Sequence, residues 1–211
     1  MTTFNLITIF PNIYTSFLNE SLIKKAIDKQ LLKFNIVDLK NFGLGNYNKV
    51  DDTEFGGAPG MVLRIDCLVN ALESVEDKGA VILMSAKGKK FTQKQAFKFA
   101  EKEDTFTIIN GRFEGVDERI LNYVDYELNM GSFITMGGEV LSMAFIEAIA
   151  RLKKGVIKNY DSVLTESFSK GTKKDYPKYT KPRVFRELEV PEVLYSGDHK
   201  KISKWRKDNS I

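Results

Sequence analysis

The residues of this sequence that are best suited to close ligand contact lie in three glycine-containing turns. Each turn follows a predicted strand, and the turns span residues 85–90, 110–115 and 131–139. Glycine has no Cβ, so the backbone can approach a bound molecule closely there. In parallel sheets, ligands bind beyond the carboxyl ends of the strands, where helix N-termini also point free N–H groups outward. Together the three turns predict one shared pocket for a flat, polar cofactor.

A fourth glycine-rich segment, residues 51–62, precedes a predicted helix. It lacks the Gly-Lys-Ser/Thr of a P-loop, and no Gly-x-Gly-x-x-Gly opens a helix after the first strand. The usual cradles for a triphosphate or a dinucleotide are therefore not indicated. Two interpretations of the segment stay open: a tight surface loop, or a loop that contacts the substrate.

Histidine and cysteine occur once each, as His199 and Cys67. They cannot form an internal disulfide or a zinc site of the usual His/Cys type, so we expect no such metal. The lone cysteine favours a reducing compartment, and we predict a cytoplasmic protein. Cys67 lies on the apolar face of a predicted helix and should be in the core.

The elements that position these turns can be predicted from hydrophobic periodicity. Short apolar runs alternate with helical patterns over the first 150 residues. This alternation predicts an α/β fold with a mostly parallel sheet and helices on both faces. The predicted strands are residues 4–10, 32–39, 80–84, 106–109 and 126–130, and the helical patterns cover residues 13–27, 65–72, 96–100 and 141–149. Apolar runs such as residues 81–84 are far shorter than the roughly 20 residues that span a bilayer, so we expect no membrane partner.

Charge is distributed unevenly along the chain. The net charge of +4 comes from −4 in residues 1–150 and +8 in residues 151–211. A basic C-terminal segment on a mildly acidic body suggests a polyanionic partner such as nucleic acid. A solvated lysine-rich surface explains the same charge equally well. Residues 176–211 are also too short to hold a core of their own.

Several strings, in order along the chain, resemble the bacterial tRNA (guanine-N1)-methyltransferase family, TrmD. They occupy residues 51–61, 111–119, 137–139, 178–182 and 190–199, and they end at Trp205 and Arg206. The sequence departs from the usual family residues at Ala86, where proline is common, and at Ser132, where aspartate is common. The family also usually continues for about another helix beyond Ile211.

The resemblance implies a knotted methyltransferase fold of the SPOUT class, with a trefoil knot and a small helical C-terminal domain. By that resemblance, residues 1–151 form the domain that binds S-adenosylmethionine, residues 152–175 form a linker, and residues 176–211 form a basic tRNA-binding domain. The family works as a homodimer with each active site at the subunit interface. The residues that match its cofactor loops are Leu83, Met84, Ser85, Ala86, Gly88, Gly111, Phe113, Glu114, Gly115, Met130, Gly131, Ser132, Phe133, Ile134, Thr135, Gly137 and Gly138.

The reaction that the resemblance implies needs a base and a cation. N1 of guanine carries a proton at neutral pH, so a carboxylate should remove it while a cation stabilises the charge that develops on O6. By its place in the family motif, Glu166 is the expected base, where many members have aspartate. Arg151 is the expected O6 donor, because a planar guanidinium suits that role. Without the resemblance, both would be interpreted as surface charges.

The function expected from the resemblance is methylation of N1 of the guanine immediately 3′ of the tRNA anticodon. A catalytically weak or inactive RNA-binding dimer of the same fold, and a methyltransferase for another RNA purine, are the alternatives. Mg²⁺ is a further candidate cofactor for catalysis. Trp205 should anchor the terminal helix by burial, and base stacking is the alternative. The residues expected to contact RNA are Asp51, Gly56, Gly57, Lys181, Arg183, His199, Lys200 and Arg206, with Lys201 as a further phosphate contact.

Overall fold

The computed structural model describes residues 1–160, 163, 166–168 and 174–210. The chain divides into two compact units, Met1–Lys158 and Asn159–Ile211. The predicted linker, residues 152–175, includes residues outside the described part. The proposed boundaries of the domains and the linker therefore stay predictions.

The first unit is built on a five-stranded parallel sheet in the order β2-β1-β6-β5-β7. The predicted α/β fold is thus confirmed; the trefoil knot stays a prediction. Phe4 on β1, an inner strand of the sheet, lies opposite Phe34 of β2 on one side and Phe106 of β6, the central strand, on the other. The strands along the chain are β1 Thr2–Thr8, β2 Leu32–Asp38, β3 Asp51–Thr53, β4 Met61–Leu63, β5 Ala80–Lys90, β6 Thr105–Asn110, β7 Tyr126–Asn129, β8 Val184–Phe185 and β9 Leu188–Glu189.

Helices cover both faces of this sheet. On one face, α3 packs Cys67, Leu68 and Leu72 into a cluster with β-strand residues such as Ile7 and Leu83. Cys67 is fully buried, as predicted. No helix in the described part of the chain is long and apolar enough to cross a bilayer. The helices are α1 Thr15–Asn19, α2 Ser21–Asp28, α3 Ile65–Glu73, α4 Gln93–Lys102, α5 Glu139–Ala150 and α6 His199–Asp208.

The other face is packed with aromatic rings. Phe106 of β6 stacks on Phe4 with ring centroids 5.3 Å apart, and it meets Phe145 of α5 edge-on at 5.8 Å. Phe99 of α4 joins them, at 5.7 Å from Phe145. Each fully buried phenylalanine contributes on the order of 1.5–3 kcal/mol, so this cluster fixes α4 and α5 against the sheet.

Two boundaries differ from the sequence-based prediction. The pattern over residues 13–27 does not form one helix, because Glu20 is extended and Ser21 has φ of +54°. A 3₁₀ turn and the short helices α1 and α2 stand there instead.

The predicted strand over residues 80–84 is also longer than expected. β5 continues to Lys90, and its pairing with β7 shifts register between Met84 and Lys89, both of which lie opposite Leu128. Residues 85–88 therefore form a bulge within a strand rather than a loop after it. Polar residues without alternation hide such a continuation from sequence patterns.

The second unit packs around a small aromatic group. The Trp205 ring of α6 lies 6.4 Å from the ring of Tyr176 and 6.3 Å from that of Tyr179. Trp205 therefore packs against two aromatic rings, but it is half-buried rather than buried as predicted. The side chain of Asp198 accepts hydrogen bonds from the backbone N–H groups of Lys200 and Lys201 and caps α6. Strands β8 and β9 form a two-stranded antiparallel hairpin in this unit.

Candidate cofactor and active site

A cavity of about 450 Å³ opens at the carboxyl edge of the sheet in the first unit. Its walls are the bulge of β5, the turn after β6, the turn after β7 and the start of α5. All the predicted cofactor-binding residues line it except Gly88 and Ser132. Gly88 instead packs its backbone against that of Glu127, where a Cβ would lie only 2.6 Å away. Cofactor contact by each of these residues stays a prediction.

Hydrogen bonds between the walls hold the cavity in shape. The Asn129 side chain donates to the carbonyl of Ala86 in the bulge and accepts from the backbone N–H of Gly131 at 2.7 Å. The backbone N–H of Gly138 donates to the carbonyl of Gly111 at 2.9 Å. The turn after β7 is thus linked to each of the other two glycine-containing walls by backbone and amide groups.

The individually predicted cofactor contacts leave out several residues of this cavity, although Lys87, Arg112 and Met136 lie within the predicted turns. The omitted residues include Arg112, whose side chain connects two walls, and Asn129, which lies at the end of β7. Arg112 sits inside one of the family strings, so its position in the motif was the available signal. Lys87 and Glu118 form an exposed ion pair of 3.0 Å at the rim, and this carboxylate raises the pKa of Lys87. The remaining cavity residues outside the prediction are Val116, Leu121, Glu127, Met136 and Leu141.

The glycine-rich segment 51–62 adjoins the cavity. It forms the hairpin of β3 and β4, and the turn after β6 is hydrogen-bonded to β4 through Glu114 N–H to Met61 O and Leu63 N–H to Gly115 O, both 3.0 Å. The tip is exposed, and Gly56 and Gly57 have φ of +101° and +80°, which only glycine adopts readily. This placement favours the substrate-contacting interpretation over a remote surface loop.

Charged groups fix the base of this hairpin. Asp52 accepts from the guanidinium of Arg64 at 2.9 Å and from Lys49 at 3.2 Å. The backbone N–H of Thr53 and these cations hold the pKa of Asp52 below its ordinary value. The neighbouring Asp51, predicted to contact RNA, is half-buried on β3.

The two predicted catalytic residues belong to different units. Arg151 follows the last residue of α5, and its backbone N–H donates to Glu147 O at 3.1 Å. Leu141, near the start of α5, lines the cavity, so the rise of the helix from there separates the backbone of Arg151 from it by about 15 Å. Glu166 is half-buried in the second unit. That the two side chains act at one site stays a prediction.

The residues of the second unit that are predicted to contact RNA are all exposed. Apart from His199, they are lysines and arginines. The guanidinium of Arg183 lies 3.8 Å from the ring centroid of Tyr195 and also donates to its hydroxyl. The guanidinium of Arg206 lies 5.1 Å from the ring centroid of Tyr176. Lys181 and Lys200 are likewise exposed, so their positive charge is accessible to a phosphate backbone.

A parallel α/β sheet with a cavity of three glycine-containing walls at its carboxyl edge defines the class of proteins that bind a nucleotide-like cofactor. Comparison with known proteins specifies the family. The family model for tRNA (Guanine-1)-methyltransferase TrmD matches residues 2–211, and the chain belongs to this family.

Curated relatives agree with the family model and confirm the resemblance. A protein of Thermus thermophilus is 44% identical over 208 residues, which are 99% of this chain and 86% of the relative. That of Mycoplasmopsis synoviae (strain 53) is 44% identical over 203 residues, 96% and 88% of the two chains. A protein of Mycoplasma capricolum is 42% identical over 209 residues, which are 99% of this chain and 86% of the relative. Each of these relatives is named tRNA (guanine-N(1)-)-methyltransferase.

Proposed function

We propose that this chain transfers a methyl group from S-adenosylmethionine to N1 of the guanine immediately 3′ of the anticodon in tRNA. As a member of the TrmD family it is a tRNA (guanine-N1)-methyltransferase. The observation that carries the proposal is the cavity in which the three predicted walls meet.

The residues of this cavity fit S-adenosylmethionine. The volume of about 450 Å³ lies within the range of small-molecule sites. Apolar side chains such as Leu83 and Leu141 suit the faces of a purine, and the backbone of the glycine-containing walls supplies donors and acceptors for its edges. When bound, the cofactor supplies a methyl group on a positively charged sulfur.

Glu166 and Arg151 carry the proton chemistry of the proposal. The carboxylate of Glu166 removes the proton from guanine N1, which makes this nitrogen nucleophilic. The guanidinium of Arg151 donates to guanine O6 and stabilises the negative charge that develops there. The N1–H bond breaks and its proton passes to Glu166, while the methyl group would leave the sulfur of the bound cofactor to form the new N1–CH₃ bond; the electron pair of the broken S–CH₃ bond would stay on sulfur, and a neutral thioether would be the leaving group.

The proposed active protein is a homodimer. Within one chain, α5 holds the backbone of Arg151 about 15 Å from the cavity, so a second copy is the simplest source of Arg151 at the reacting base. Large apolar side chains around the cavity are exposed in the single chain, among them Ile134 at 82% and Met136 at 88%. Such a surface is typical of a protein–protein interface.

The basic second unit is proposed to hold the tRNA. Its exposed cations contact phosphates and position the RNA without reading its sequence. The tip of the β3–β4 hairpin, with Gly56 and Gly57, is proposed to contact the bases near the target guanine. Because the substrate is tRNA, the proposal includes a cytoplasmic location.

Mg²⁺ is treated separately, because the described residues do not provide a cage for it. Among them, no three His, Cys, Asp or Glu side chains come together. The steps above therefore assign no role to Mg²⁺. A requirement for it stays a prediction, and methylation assayed with and without EDTA checks it.

Two measurements test the proposed function. Calorimetric titration with S-adenosylmethionine and S-adenosylhomocysteine should give saturable binding at about one ligand per cavity. Methyl transfer to a tRNA transcript should then occur and should disappear when the guanine 3′ of the anticodon is replaced. Transfer that persists after this replacement would indicate another RNA purine as substrate. Absence of cofactor binding, even with tRNA added, would support an RNA-binding dimer without activity.

A further inference from the structure

A buried carboxylate lies directly behind the cavity and is not used by the proposed reaction. Glu139 is the first residue of α5, and only 1% of its side chain is exposed. It does not line the cavity. A carboxylate this buried is costly unless its oxygens are bonded, so its partners indicate what it does.

Both oxygens of Glu139 are bonded to other elements of the first unit, and one of these bonds leads to a cavity wall. The hydroxyl of Thr8, at the end of β1, donates to Oε1 at 2.8 Å. The Nε of Arg112 donates to Oε2 at 3.0 Å. Arg112 is itself a cavity residue in the turn after β6.

Arg112 in turn connects two walls of the cavity. Its Nη1 donates to the carbonyl of Met136, in the turn after β7, at 3.2 Å. The backbones of Arg112 and Gly137 form an isolated antiparallel bridge. The Phe10 ring packs on the guanidinium at 4.6 Å from its centroid. One guanidinium thus binds the carboxylate on one side and the neighbouring wall on the other.

The space around this ion pair is filled. A Cβ on Gly137 would lie 2.2 Å from Nε of Arg112 and 2.6 Å from Oε2 of Glu139. The guanidinium therefore has one position that satisfies the buried carboxylate, the Met136 carbonyl and the close-packed backbone together. If the carboxylate charge is removed, that position loses its strongest fixed bond.

We propose that Glu139 is a positioning residue for the cofactor cavity, which acts through Arg112 to hold the turns after β6 and β7 in the arrangement that binds the nucleoside cofactor. The inference rests on the proposed function, since it takes the cavity to be the S-adenosylmethionine site. Removal of the carboxylate charge loosens both turns and weakens cofactor binding. Proton transfer by Glu166 is not directly affected.

The test compares Glu139→Gln with wild type in S-adenosylhomocysteine titrations at 25 °C. Wild type must first bind, because its failure would reject the proposed cofactor rather than this inference. For Glu139→Gln we expect a Kd raised about tenfold or more, the size of one lost charge-assisted hydrogen bond. In methylation assays the KM for S-adenosylmethionine should rise by a similar factor, with kcat changed less. An unchanged Kd in a folded variant would overturn the inference.

Tyr14→Phe is the matched control for stability. The Tyr14 hydroxyl bonds Ser142 Oγ at 2.7 Å in the same buried polar group, and neither residue contacts Arg112 in the hydrogen bonds of this region. We expect a lower Tm for Tyr14→Phe, with a Kd within about twofold of wild type. If the Kd rises equally in both variants, the weaker binding of Glu139→Gln is explained by a general loss of stability. This result would overturn the proposal.

Arg112→Lys separates positioning from folding. Lysine keeps the positive charge but cannot reach the carboxylate and the Met136 carbonyl with one planar group. We expect it to weaken binding, and Glu139→Gln combined with it to weaken binding no further, because both changes break the same link. Additive effects would overturn the proposal. If Glu139→Gln does not fold, the Kd of Arg112→Lys alone decides, and a wild-type value rejects the inference.

Discussion

The role proposed for Glu166 depends on charge rather than on shape. Glu166→Gln keeps the size of the side chain but removes the base, so turnover should fall by about 10²-fold or more. Cofactor binding should stay close to wild type, since the cavity lies in the other unit. Single-turnover methylation together with S-adenosylhomocysteine titration measures both effects. Unchanged turnover would remove Glu166 from the mechanism.

Gly137 packs closely against the side chains of Arg112 and Glu139, which leaves no room for a larger residue. Gly137→Ala would place a Cβ 2.2 Å from Nε of Arg112, and overpacking of this kind costs about 1–3 kcal/mol. We expect a lower Tm and weaker S-adenosylhomocysteine binding. Gly111→Ala is the matched control, because its Cβ would meet nothing closer than 3.5 Å. Its Tm should equal or slightly exceed that of wild type, and equal Tm losses in both variants would contradict this explanation.

At the scale of elements, Lys153 ties the residues after α5 to the junction between α4 and β6. Its Nζ donates to Glu103 O at 2.7 Å and to the Asp104 carboxylate at 2.9 Å. Lys153→Ala should reduce the free energy of unfolding by about 1–2 kcal/mol. This should lower the Tm by about 2–4 °C for each kcal/mol. The neighbouring exposed Lys154→Ala should change stability by less than about 0.5 kcal/mol.

The same contact gives a pH dependence. Lys153 lowers the pKa of Asp104 below its ordinary value. A carboxyl with a lowered folded-state pKa adds stability above its unfolded pKa of about 3.9, and this stability is lost as the pH falls through the folded value. The difference between wild type and Lys153→Ala should therefore narrow from pH 7 to pH 3 in urea unfolding. Because Asp104 is largely exposed, the narrowing should be small; a difference that widens on acidification would contradict it.

Hydrophobic periodicity predicted every strand of the large sheet and the helices α3, α4 and α5, because long periodic segments carry the clearest signal. It missed β3 and β4, since strands of three residues show no measurable alternation. It also missed the pairing of Arg112 with Glu139. These residues are 27 positions apart, and only the folded chain brings them together.

The glycine-containing turns after the predicted strands indicated where the cavity forms, but not its spatial limits. Arg151 was predicted at the end of a helix, and the structure shows that this helix begins at the cavity. Sequence spacing gives the helix length but not which end meets the ligand. The placement of one predicted catalytic residue away from the cavity therefore required the fold.

At the scale of the whole molecule, the separation of Arg151 from the cavity predicts complementation between subunits. Gly137→Ala, defective in the cavity, and Arg151→Ala should each have low activity alone. A heterodimer purified through two different tags contains one intact site, which combines the cavity of one chain with Arg151 of the other. Its activity should recover to about half of wild type, as expected for a symmetric dimer. No recovery would place both groups of one site in the same chain.

The same experiment with Glu166→Gln and Arg151→Ala shows whether the chain that supplies Arg151 to a site also supplies Glu166. Recovery would mean that Glu166 and Arg151 of one site come from different chains, and lack of recovery would mean that one chain supplies both. Sedimentation of each purified pair confirms that dimers form before activity is compared.

The bulge in β5 limits how this part of the protein can change. Met84 and Lys89 both lie opposite Leu128, so the chain leaves β7 and returns to it at a fixed point. An insertion or deletion of one residue that the bulge did not absorb would move Lys89 and Lys90, the last residues of β5, to the wrong face of the sheet. The side chains of residues 85–87 are under no such restriction, which is consistent with alanine at position 86, whereas Gly88 has no room for a Cβ beside the Glu127 backbone. We expect natural variation at residues 85–87 to consist of substitutions, while the number of residues stays constant.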